Sequence, residues 1–146
     1  MYYLVPIVVF IGFILGFLIK KYIPEEKKLQ KYFPGIEKIL LVLLILAIIL
    51  ITFENTIWFY LFLITGLILG FFLREKYFYL GLSLLTFNIY LSILTFLFGL
   101  INGSKKIVFN LIFFAIPFLL LLLNIDHTSL VVLSAGALIP SLFYKQ

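Results

Sequence analysis

The sequence predicts an all-α integral-membrane fold, a compact bundle of six transmembrane helices, and three observations predict it. Hydrophobic residues make up 65% of the 146 and charged residues only 12%, with a mean hydropathy of +1.29. A soluble domain of this size has too large a surface-to-volume ratio to hide so much apolar side chain, so the solvent implied is lipid. The apolar residues also fall in runs of roughly 17 to 25, the length that crosses a hydrocarbon core of about 30 Å. Finally, the charges are confined to the gaps between those runs. Backbone amides in lipid must be paired within their own segment, so each run is read as a helix. The whole chain, 1–146, is taken up by this single integral-membrane domain.

The first run, 3–19, has no basic residue ahead of it and stops at Lys20 and Lys21. That polarity is the reverse of a cleaved signal peptide, so the run is read as a retained span. After it, 21–35 carries Glu25 and Glu26, then Lys27, Lys28 and Lys31, with Leu29, Tyr32 and Phe33 at helical spacing and Pro34-Gly35 closing it. Two readings stay open: a short amphipathic helix on the cytoplasmic interface, or a charged loop. In either case the lysines of the 20–38 loop would meet anionic lipid headgroups.

Spans two and three, 36–53 and 56–73, are joined by "FENT", whose charge is Glu54. Span two has no polar side chain between 39 and Thr52 and is read as peripheral and lipid-facing. Spans one and three share a text. "GFILGFLIKKY" at 12–22 returns as "GLILGFFLREKY" at 66–77, placing Gly12/Gly16 and Gly66/Gly70 in GxxxG pairs followed by charge. Little hydrophobic drive separates helix from lipid, so close backbone approach across such pairs is what joins helices. The repeat reads as one design used twice, a packing notch and then a stop.

Span four, 77–101, is the polar one. Gly81, Asn88, Ser92, Thr95, Gly99 and, just beyond it, Asn102 recur at steps of seven, four and three along one stripe, with Ser83, Thr86 and Tyr90 on the other side. A helix of this kind belongs in the middle of a bundle. Its hydroxyls and amides serve either for packing or for holding a cation or small polar solute. Spans five and six, 107–123 and 128–144, contain Pro117 and Pro140, which bend helices. Between them, Asp126 and His127 in "NIDHTS" are read as a terminus and an N-cap rather than as a proton-transfer or metal site, with Glu54 as the remote partner such a site would need.

Basic residues stay cytoplasmic. Loop one holds six lysines, loop three holds Arg74 and Lys76, and loop two holds Glu54 alone. The N-terminus is therefore outside, with loops 20–38 and 74–76 cytoplasmic. Six crossings would put Lys105, Lys106 and Lys145 outside, against the rule. If 77–101 instead re-enters, giving five spans plus a re-entrant segment, all eleven basic residues are inside and Glu54 and Asp126 outside. The single crossing is preferred because "LTFNIYL" contains no Gly or Pro to turn the chain.

The absences exclude classes of function. No cysteine means no thiolate chemistry, and the lone histidine and six acids, none in the middle of a span, supply no catalytic pair, haem ligation or metal cage. No enzyme, cofactor or proton relay is expected, and the net charge of +5 is a topology signal rather than a nucleic-acid surface. Lys/Ile richness with one Met and no Cys fits a prokaryotic, heat-adapted source and so its cell membrane. The expected role is a subunit of a small-solute or cation transporter or channel, working through Asn88, Ser92, Thr95 and Asn102 as a homo-oligomer. The alternative is an assembly subunit that docks partner helices through Gly12, Gly16, Gly66, Gly70, Gly81 and Gly99 and its Asn/Ser/Thr faces, within a larger membrane complex.

Overall fold

A computed structural model describes residues 4–22, 32–101, 107–122 and 127–143. Among these the secondary structure is helical throughout, with no strand. Seven α-helices replace the six expected. They are α1 (Leu4–Tyr22), α2 (Phe33–Thr52), α3 (Ile57–Phe72), α4 (Lys76–Ser83), α5 (Ile89–Ile101), α6 (Ile107–Ala115) and α7 (His127–Leu138). Three-residue-per-turn stretches prolong α6 over Ile116–Leu122 and close the bundle at Pro140–Leu142. One described helix, Phe33–Thr52, has by itself the length and apolarity needed to cross a membrane.

Local chemistry sets the ends. Pro34-Gly35 does not close an element as expected; it lies in the first turn of α2, where the missing proline N–H is unneeded. The interfacial element expected over 21–35 lies mostly outside the described residues. Thr56 caps α3, its Oγ1 accepting from the Phe59 N–H at 3.4 Å. Pro117 has no N–H to continue the α ladder, and the change to the tighter helix begins one residue before it, at Ile116.

Two parallel helix pairs organise the packing. In the first, Val9, Gly12, Phe13 and Gly16 form the buried stripe of α1. Gly12 lies against Phe96, and Gly16 against the backbone of Gly99 and Leu100, so α1 and α5 run in the same direction. In the second, Gly66 meets the Leu133 backbone, Gly70 meets Ala137, and Gly136 returns the contact to Leu63 and Leu67. The pair α3·α7 is the most extensive in the molecule and α1·α5 the next. The central helix is α7, where Ser134 to Leu138 are all buried and α2, α3 and α4 pack around it. The sequence points instead to 77–101 as the central element. That place falls to α7 because a run of small residues, "SAGA", admits neighbours on every side.

The continuous helix expected over 77–101 is broken. Lys76 Nζ, at the start of α4, sits 5.5 Å from the centre of the Phe98 ring, near the end of α5. An unbroken helix would hold residues 76 and 98 about 33 Å apart at 1.5 Å per residue. The segment is a helical hairpin, with α4 leaving the end of the bundle that carries Lys20, Lys38 and Arg74 and α5 returning to it. Leu84 to Asn88 make the reversal, through Leu84 N–H to Gly81 O at 3.2 Å and Phe87 N–H to Leu84 O at 2.9 Å. Phe87 takes φ 51°, the one non-glycine residue with positive φ among the described residues. Asn88 then restarts the helix, its Oδ1 accepting from the Tyr90 N–H at 2.9 Å. The turn needs neither Gly nor Pro because a side-chain amide competes for backbone N–H groups. A left-handed residue that costs about 1–2 kcal/mol is held in place by tertiary packing.

An aromatic cluster fixes α4 inside the bundle. Phe114 of α6 lies edge-on to Phe10 and Phe13 of α1, each at 5.2 Å between ring centres, and Phe13 meets Tyr77 of α4 at 5.6 Å. Gly81 accommodates the Phe114 carbonyl and the Pro117 ring, and every residue from Tyr79 to Leu85 is buried.

Two glycine substitutions separate packing from propensity. Gly66→Ala places a methyl into the Leu133 backbone and should lower the thermal midpoint in detergent, at a cost of roughly 1–3 kcal/mol. Gly35→Ala, with no atom within 4 Å of the new carbon, should raise that midpoint, through a gain of about 0.5–1 kcal/mol in helix propensity.

Candidate functional site

Three polar regions can carry chemistry. The first is the hairpin. Its expected stripe does not line an open path. Ser92 donates to Asn88 O at 2.7 Å and Thr95 to Leu91 O at 2.8 Å, so both hydroxyls are satisfied inside α5 while buried against the bundle. Asn88 caps the helix, and Asn102 lies outside the described residues. Ser83, Thr86 and Tyr90, expected on one helical line, are divided by the break; Ser83 bonds Leu80 O within α4. Thr86 Oγ1, in the reversal itself, is buried without a partner among the described residues, as are the Tyr79 hydroxyl and His127 Nδ1. A buried polar atom left unpaired costs about 1–3 kcal/mol, which makes the reversal the natural place to look for a ligand.

The second region is an ion pair that the sequence reading does not anticipate, since Lys76 falls in a loop and Glu37 where the 20–38 loop meets span two. Lys76 Nζ bonds Glu37 Oε1 at 2.7 Å, with side-chain exposures of 14% and 9%. Glu37 comes from the first turns of α2 and Lys76 from the first residue of α4, so the pair ties the hairpin's entry to the base of α2. The Phe98 and Tyr77 rings lie 5.5 and 5.6 Å from the ammonium. The signal was two opposite charges, each at the lip of an apolar run, but nothing in the sequence pairs positions 39 residues apart.

The third lies at the opposite end of the bundle. Here Thr52 ends α2, Glu54 occupies the turn into α3, and α7 begins. A cleft of about 120 Å³ opens between them, lined by Thr52, Glu54, Trp58, Phe59, Thr128 and Ser129 among others. Glu54 thus shares the cleft with Thr128 and Ser129 of α7, and His127 is not among the residues that line it. Asp126 lies outside the described residues, and no group of three acidic, His or Cys side chains suited to a metal occurs among the described ones.

The six glycines expected at helix faces all abut neighbours within the chain: Gly12 and Gly16 on α5, Gly66 and Gly70 on α7, Gly81 on α6, and Gly99 on Phe13 of α1. Those faces are covered, so they are unavailable to a partner helix. Comparison of the chain with protein families, curated proteins and solved structures finds no match.

A double-mutant cycle reads the ion pair. Glu37→Gln or Lys76→Met alone should destabilise by roughly 3 kcal/mol, because each strands a charge in a poorly solvated place. The double variant should recover much of that loss, seen as a positive coupling in thermal or denaturant unfolding. Asn88→Leu should cost about 1 kcal/mol through the lost cap, and Asn88→Ser should restore it.

Proposed function

We propose that the chain is a multi-pass protein of a prokaryotic cell membrane and a subunit of a small-solute or cation transporter. The membrane reading is supported by its outer surface. Among the described residues 35 large hydrophobic side chains are exposed, against 22 hydrophobic residues in the core. In α2 the buried residues Glu37, Leu40, Leu41, Leu44, Ile45, Ile48 and Thr52 form one stripe, and Leu43, Leu46 and Leu50 face outward on the other side. Only 33% of that helix's apolar window is buried, unlike the core helix of a soluble protein. Lipid is the solvent such a mantle suits.

The charge pattern supports one orientation. All five described basic residues, Lys20, Lys21, Lys38, Arg74 and Lys76, belong to the end where α1 stops and α2 starts, and Glu54 to the other. With the hairpin returning to its starting side, the linkers holding Lys27, Lys28, Lys31, Lys105 and Lys106 join helix ends on that same side, and Lys145 follows α7, which runs parallel to α3 toward it. The positive-inside rule is then obeyed by all eleven basic residues, the N-terminus is outside and the C-terminus inside.

The transport reading rests on the helix break at Leu84 to Asn88, whose first two residues are buried and the next three half-buried. Irregular backbone at membrane depth is tolerated where protein or a cavity surrounds it, and discontinuous helices are where carriers place their substrates. The alternative, a docking subunit, loses support because its glycine faces are used within the chain. A homo-oligomer would form through the apolar flanks of α2 and α3 instead.

Two measurements test this. In intact cells treated with a membrane-impermeant maleimide, Ser104→Cys should stay protected like Tyr22→Cys, while Asn55→Cys is labelled; labelling at 104 would remove the hairpin topology. In proteoliposomes, stopped-flow swelling with glycerol and urea and potential-dye responses to Na⁺ and K⁺ should exceed those of empty vesicles. Asn88→Leu should reduce that flux at least tenfold without changing oligomer size in gel filtration. No flux above empty vesicles with any of the four probes would refute the transport role.

A further inference from the structure

We propose that the cleft between the end of α2, the start of α3 and the start of α7 is a binding site for a small alkylammonium cation. It stands on the cleft alone and does not depend on transport through the hairpin. The space of about 120 Å³ equals roughly four water volumes, room for a group of about five heavy atoms.

The wall chemistry selects a cation. Glu54 supplies a carboxylate that forms no ion pair with any described residue. The described basic side chains lie at the far end of α3, a helix of 16 residues, which is about 24 Å long and several Debye lengths at physiological salt. Thr52 gives its hydroxyl proton to Ile48 O at 2.7 Å, so its oxygen can only accept from anything in the cleft. Thr56 Oγ1 already accepts from Phe59 N–H.

The same wall selects an organic cation over a metal ion. A hard divalent ion needs six or more oxygens, several of them carboxylates, and among the described residues the cleft is lined by one acid, Glu54. It has instead the Trp58, Phe59 and Phe62 side chains. Aromatic faces attract an ammonium that has shed part of its water, with Trp the strongest of the three types. Trp58 is 67% exposed, so its ring can meet a ligand. The ammonium can belong to a soluble molecule or to a phospholipid headgroup, since this end of the bundle would lie at the outer interface.

Trp58 is the chain's one tryptophan, so intrinsic fluorescence reports the cleft directly. Protein in phosphatidylglycerol nanodiscs is titrated with tetramethylammonium chloride, with NaCl at equal ionic strength as the control. A saturable change with the first and none with the second is expected. Glu54→Gln should weaken the apparent affinity at least tenfold, while Glu54→Asp, which keeps the charge, should still titrate; circular dichroism checks that both are folded. Repetition in phosphatidylcholine nanodiscs separates the sources. If the spectrum there already matches the saturated one and no longer responds, the headgroup fills the site; if it titrates as before, the ligand is soluble. A change that never saturates, that NaCl reproduces, or that Glu54→Gln leaves intact would overturn the site.

Discussion

The structure depends on close backbone approach at a few glycines. When 65% of the residues are hydrophobic and 35 large hydrophobic side chains among the described residues stay exposed, burial by itself does not say which helix goes beside which. Residues without a side chain do. Gly66, Gly70 and Gly136 let α3 and α7 come into backbone contact, and Gly12, Gly16 and Gly99 do the same for α1 and α5. Both pairs are parallel and each joins helices far apart in sequence. Once they are set, α2, α4 and α6 have only the remaining grooves to occupy.

The hairpin is a consequence of that arrangement. The α1·α5 register puts Phe96 beside Gly12 and Gly99 beside Phe13, which commits α5 to run alongside α1. Residues 76–83 must then climb in the opposite sense. Two features hold them there: the aromatic contacts of Tyr77, Phe13 and Phe114, and the Glu37–Lys76 bond at the entry. The strained Phe87 and the unpartnered Thr86 hydroxyl sit at the one place where the backbone gives way. Strain and unpaired polar atoms gather at sites of function, where surrounding structure over-determines them.

Charge divides the molecule into two unlike ends. At one, basic side chains gather, and one of them is drawn inward to meet a carboxylate. At the other, Glu54 stands among aromatic rings and hydroxyls with no described cation near it. The two ends of the bundle therefore present different chemistry, and α4, α5 and α7 pack between them.

Much of this was legible in the chain. Composition and run length set an all-helical body with an apolar exterior, because helix is the form in which an isolated apolar segment satisfies its own backbone. The repeated GxxxG text marked the packing faces of α1 and α3 for the same local reason. The absence of Gly and Pro in "LTFNIYL", the middle of 77–101, points to one continuous helix, yet the helix is broken there, since Asn88 and a left-handed Phe87 do the work of a helix breaker. What the sequence determined by itself is what each segment can do alone: be helical, be apolar, carry a notch. Tertiary structure decided which notch meets which backbone, that small-residue α7 takes the centre, that Glu37 finds Lys76, and that Glu54 shares a cleft with α7. Those outcomes depend on contacts between positions tens of residues apart, and periodicity along one helix carries no information about its partner.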